Sequence, residues 1–83
     1  MKVSVRYFAS IREAIGQGQE TVETQASTLG GLRDQLLARG GAYAEVLARG
    51  LSVRMALRQQ MCAEDKALAE GDEVAFFPPV TGG

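Results

Sequence analysis

Eighty-three residues, 46% hydrophobic and 23% charged, are enough for one small globular domain with a modest core. Nine basic residues against ten acidic ones leave a net charge of −1, which is no footprint for nucleic acid, and no apolar run approaches the ~20 residues of a membrane span. With no histidine and a single cysteine, Cys62, the chain carries no His-based acid–base chemistry, no internal disulfide and no cysteine-rich zinc site of its own.

Val3, Val5 and Tyr7 alternate with Lys2, Ser4 and Arg6, which predicts a half-buried strand over 2–8. The chain opens on this alternation rather than on a signal peptide, which suits a cytoplasmic protein. Phe8 falls by parity on the polar side. Ser10 and Glu13 have the spacing of a capping box, and Ile11, Ala14 and Ile15 make a helix of one to two turns that Gly16 stops. Thr21, Val22 and Thr24 predict a second strand over 19–24, antiparallel to the first. Ser27 or Thr28 caps the main helix, whose stripe is Leu29, Leu32, Leu36 and Leu37. Gly30 and Gly31 in its first turn cost up to about 1 kcal/mol each relative to alanine. Gly40-Gly41 ends it, and Tyr43, Val46 and Leu47 form a shorter helical piece.

From residue 51 the period returns to two. Leu51, Val53, Met55 and Leu57 share one face of a strand; Arg58-Gln59-Gln60 turns the chain, and Met61-Cys62 starts a short return strand. The turn type is open, because there is no Asn-Gly or Asp-Gly pair. Glu70-Gly71-Asp72 is a further turn, and Val74–Phe77 is an apolar run read as a central strand that Pro78-Pro79 ends. The order of elements predicts an α+β domain over 1–77, a ubiquitin-like β-grasp roll with a mixed sheet of about five strands on one main helix. Residues 78–83 are read as a flexible tail.

That tail is where a reactive group is to be sought. Pro78-Pro79 favours extended geometry, and six residues from Pro78 to Gly83 reach about 20 Å. Gly82 and Gly83 lack Cβ atoms, so their backbone can thread a tunnel too narrow for other residues. A carboxylate on Gly83 is a poor acyl electrophile until it becomes a mixed anhydride such as an acyl adenylate. Sulfur can then capture it as a thiocarboxylate, a sulfur donor.

Residues 71–83, Gly-Asp-Glu-Val-Ala-Phe-Phe-Pro-Pro-Val-Thr-Gly-Gly, resemble the C-terminal signature of the small subunits of molybdopterin synthase, the MoaD family of ubiquitin-like sulfur carriers. Val3–Ala9 followed by Ile11-Arg12-Glu13 is similar to the same family's first strand and helix. Departures are Gly30-Gly31 and Arg58-Gln59-Gln60, which bear on local loop geometry. The resemblance implies that a ubiquitin-activating-like enzyme adenylates Gly83 with ATP and that a sulfur donor protein turns it into a thiocarboxylate. Residues Pro78, Pro79, Val80, Thr81 and Gly82 would then carry Gly83 into the large synthase subunit, which supplies the catalytic side chains. The product is the dithiolene of molybdopterin, made from a cyclic pyranopterin precursor. No permanently bound cofactor is implied, and a heterotetramer of two small and two large subunits is.

The residues themselves point to a partner surface. If Val3, Val5, Tyr7, Val74 and Phe76 face the helix, Phe8 and Phe77 face away, near the tail exit, and Met61 extends the patch. Cys62 reads as a small half-buried hydrophobe. Glu64, Asp65, Glu70, Asp72 and Glu73 read as a solvated acidic loop, with steering of a basic partner as the alternative. Arg12 and Arg33 read as helix-surface charges, and Arg54 and Arg58 as candidates for an interface rim. Other functions stay open: a carrier for thiazole or another sulfur pathway, a protein modifier conjugated through Gly83, and a β-grasp interaction module without acyl chemistry.

Overall fold

The computed structural model describes residues 1–79. Its elements in chain order are β1 (Lys2–Tyr7), α1 (Ala9–Ile15), β2 (Gln19–Glu23), α2 (Leu29–Leu37), α3 (Gly41–Val46), β3 (Arg54–Leu57), β4 (Gln60–Cys62) and β5 (Glu73–Phe77). They form one five-stranded mixed sheet in the order β2-β1-β5-β3-β4. The last strand is therefore central, parallel to β1 and antiparallel to β3. This is the β-grasp roll, with α2 laid across one face.

Alternation in β1 and β5 decides which side is buried. Val3, Val5, Tyr7, Val74 and Phe76 point into a core shared with Leu29, Leu32 and Leu36 of α2. α2 starts where the stripe does. Thr28 is extended at the N-cap, and its hydroxyl accepts from the Gly31 amide at 3.2 Å. The helix ends at Leu37, before Gly40-Gly41; Gly40, at φ 78°, is instead the N-cap of α3.

Gly30 has a use beyond propensity. Its amide donates to the Glu64 carbonyl at 2.8 Å, and a Cβ there would sit 3.3 Å from the Glu64 Cβ. The helix start and the 63–68 loop approach each other through that missing side chain.

The capping box expected at Ser10 and Glu13 is absent, since the N-cap of α1 is Phe8 and it uses no side chain. Phe8 is still held as strand backbone, its amide bonded to the Phe76 carbonyl at 3.2 Å. Its own carbonyl then accepts from the Ile11 and Arg12 amides. The chain passes from ladder to helix within one residue, which leaves Ser10 inside the helix. The expected β3 face is also shorter than its period implies. Leu51 lies outside the strand and is 41% exposed, because tight turns link the Leu51 amide to Ala48 and the Val53 amide to Leu51.

The β3–β4 connection is a two-residue turn with both central residues at positive φ, Arg58 at 49° and Gln59 at 71°. That is the backbone of a type I′ hairpin, made without asparagine or glycine.

Candidate docking face and tail root

The outer face of the sheet is built by register. Arg6, Ala75, Ala56 and Met61 form one row across β1, β5, β3 and β4, and Phe77 stands opposite Arg54 in the neighbouring row. Two alanines in the middle of the row leave a shallow floor. Phe8 and Phe77 stand beside it, stacked with ring centroids 4.7 Å apart and planes 11° apart. The Arg6 guanidinium lies 5.6 Å from the Phe8 ring centroid. Met61, 53% exposed, lines a groove of about 220 Å³ together with Arg54, Phe77 and Pro78.

Three expected site residues, Phe8, Phe77 and Met61, thus share one face: Phe77 stacks on Phe8 and lines the groove with Met61. Both Pro78 and Pro79 are half-buried where β5 ends, beside the groove. Val80, Thr81, Gly82 and Gly83 lie outside the described residues.

Arg54 belongs to this face as expected. Arg58 does not stand apart as a rim charge; it pairs with Asp72, which is only 6% exposed. Asp72 also accepts from the Ala69 amide at 2.8 Å, so it is a buried turn-former rather than part of a solvated acidic loop. Glu64 is likewise engaged, pairing with both Arg33 and Arg49.

Arg33 departs most from expectation. It is 4% exposed, and its guanidinium donates to the carbonyls of Leu47 at 2.8 Å, Ala48 and Leu51 at 3.0 Å. Its position four residues after Leu29 on the apolar stripe was the available signal. The buried Leu47 carbonyl has no backbone donor; the fork of N–H groups supplies one and adds second bonds to the Ala48 and Leu51 carbonyls, which the Leu51 and Val53 amides already reach.

A second polar network lies at the other end of the sheet. Glu20 accepts from the hydroxyls of Tyr7 at 2.7 Å and Tyr43 at 2.9 Å and from Arg39 at 2.9 Å. Burial alone would raise the Glu20 pKa, but these three donors outweigh it and hold the carboxyl below its usual range. Burial, with the Glu20 contact added, pushes the Tyr7 hydroxyl well above the usual phenol range. Among the described residues there is no cluster of His, Cys, Asp and Glu that could hold a metal, and no helix long and apolar enough to cross a membrane.

Comparisons with known proteins agree with this architecture. The profile of the ThiS family matches residues 5–83. The molybdopterin synthase sulfur carrier subunit of Escherichia coli is 38% identical over 81 residues, covering 98% of this chain and 99% of that one. Among solved structures, small archaeal modifier protein 1 of Haloferax volcanii superposes with a TM-score of 0.77 at 25% identity, covering 95% of this chain and 98% of that one. Subunits 1 and 2 of the molybdopterin-converting factor from Helicobacter pylori, solved as a complex, include a chain that matches with a TM-score of 0.69 at 27% identity, each chain covered in full. The resemblance drawn from residues 3–13 and 71–83 is borne out over the whole chain, which belongs to the ThiS family of ubiquitin-like β-grasp proteins.

Proposed function

We propose that this protein is the sulfur carrier and small subunit of a molybdopterin synthase, with its chemistry on the Gly83 carboxylate. The observation that carries the reading is the stacked Phe8–Phe77 pair with Met61 on one outer face, beside the root of the Pro-Pro-Val-Thr-Gly-Gly segment. A partner that seats this face is thereby positioned over the tail. The Helicobacter pylori neighbour, solved with its second subunit, supports a partner of the same class.

In the proposed cycle a carboxylate oxygen of Gly83 attacks the α-phosphorus of ATP on a ubiquitin-activating-like enzyme, and pyrophosphate leaves. Sulfur delivered by a donor protein at the sulfide level attacks the acyl carbon, AMP leaves, and a thiocarboxylate remains. On the large subunit that sulfur bonds to a carbon of the cyclic pyranopterin precursor as the carbon–oxygen bond there breaks and the oxygen leaves, hydrolysis of the acyl–sulfur bond restores the carboxylate, and a second thiocarboxylate supplies the second sulfur of the dithiolene. This chain contributes no side-chain acid or base; its folded face docks, and its tail delivers. Pro78 and Pro79 stiffen the exit, Val80 and Thr81 span the tunnel, and Gly82 and Gly83 fit its narrow end.

Intact-mass spectrometry after incubation with activating enzyme, ATP and a sulfur source tests this directly. One oxygen replaced by sulfur on the C-terminal peptide is expected. An unchanged mass, where a control carrier is modified, would sink the reading. Similarity to an archaeal modifier protein favours one competitor, conjugation through Gly83 to lysines, and a search for lysine adducts in cells separates the two.

A further inference from the structure

The docking face does not stop at Met61. β3 and β4 pair only as far as Met55 and Cys62. Beyond that point the segment 51–54 and the segment 62–64 diverge, and a groove of about 670 Å³ opens between them. It shares Arg54 and Met61 with the smaller groove beside Phe77, so the two form one continuous surface. Leu51 and Met61, the two exposed large hydrophobic side chains among the described residues, both line it.

The charge in this groove is one-sided. Arg33, Arg49 and Arg54 line it against the single carboxylate of Glu64. Arg33 and Arg49 already share Glu64, while Arg54 makes no ion pair among the described residues. The groove is also held open rather than collapsed. Arg33 grips the carbonyls of Leu47, Ala48 and Leu51, and Arg49 ties the loop to the Gly30 carbonyl and to Asp34. These cross-links fix the Leu51 backbone while its side chain faces solvent.

We propose that this groove is a second docking site for the large subunit, taking an extended segment that carries an aliphatic side chain and a carboxylate. The aliphatic group packs between Leu51 and Met61, and the carboxylate meets Arg54. Continuity with the Phe77 groove and the uncompensated guanidinium select this occupant. The proposal rests on the reading of the partner given above. It adds that the partner wraps around the β3–β4 end of the sheet, so that contact is made on two sides of Met61.

The test is a binding titration of the full chain with purified large subunit at low and high salt, alongside thermal melts and sedimentation. Leu51→Asp and Ser52→Asp are expected to weaken binding by about tenfold or more with the melt unchanged, since both side chains are exposed. Arg54→Glu is expected to weaken binding and flatten its salt dependence. If Leu51→Asp and Ser52→Asp both bind within about twofold of wild type while Phe77→Ala binds weakly, the groove is idle and this proposal falls alone. If Phe77→Ala also binds normally, the underlying partner reading falls with it. A wild-type dimer that Leu51→Asp converts to monomer would assign the groove to a second copy and overturn the proposal.

Discussion

Arg33 of α2 donates from Nε to the carbonyl of Leu47 at 2.8 Å, across a loop that returns fourteen residues later. The same guanidinium reaches the Ala48 and Leu51 carbonyls, which also accept from the Leu51 and Val53 amides, so Arg33 is the one donor to Leu47 and a second donor to the other two. Arg33→Met would leave the buried Leu47 carbonyl without a donor and remove the second bonds to Ala48 and Leu51. A loss of about 1–3 kcal/mol in urea-determined stability is expected. Arg33→Lys should recover little of it, because an ammonium cannot span three acceptors as a planar fork does.

The aromatic pair calls for the opposite result. Phe8 and Phe77 are half-buried and stack on each other outside the core. Phe77→Ala should cost folding no more than about 1 kcal/mol, the worth of such a pair, while weakening large-subunit binding about tenfold or more. Phe8→Glu should behave similarly. A thermal melt lowered as far as that of a core truncation such as Leu32→Ala would mean that these rings belong to the core.

Stability should depend on pH through the Glu20 network. The Glu20 carboxyl is held below its usual range when folded, so its contribution is present above the unfolded carboxylate pKa and is lost as pH falls through the folded one. Tyr7 is held above the phenol range, so its contribution is present below the unfolded phenol pKa and is lost at higher pH. Chemical denaturation of wild type and Glu20→Gln at a series of pH values should show the gap between them closing toward acid. A constant gap across that range would contradict the assignment.

The hairpin turn predicts an uncommon stabilising glycine. Gln59 sits at φ 71°, where a Cβ is strained. Gln59→Gly should raise stability by about 0.5–1 kcal/mol, even though glycine ordinarily lowers it in structured segments. The neighbouring Arg58→Gly should not, because it removes the ion pair to the buried Asp72.

Patterns of period two and near 3.6 were enough to read β1, β2, α2 and β5 and the pairing of first and last strands, since each of these buries one face. The outward parity of Phe8 and Phe77 was readable for the same reason, and their stacking follows from β1 and β5 being neighbours. What stayed hidden depended on contacts between distant loops. Ser10 looked like a cap because nothing local reveals that Phe8 remains bonded to Phe76. Arg33 looked like surface because arginine usually is, and its three acceptors lie on a loop beyond α3. Asp72 looked like one more acid in a row until Arg58 and the Ala69 amide were seen around it. Leu51 kept the strand's period but not its hydrogen bonds.

The central position of β5 also bears on how the protein is made. Val5 pairs with Val74 and Tyr7 with Phe76, so the middle of the sheet joins the two ends of the chain. Every strand to one side of β5 is separated from those on the other until residue 77 is available. A nascent chain therefore cannot close its core during synthesis; α2 and the β1–β2 hairpin wait, with Val5 and Leu36 uncovered, for the last strand to arrive. The strand that completes the fold is also the one that runs directly into Pro78 and Pro79.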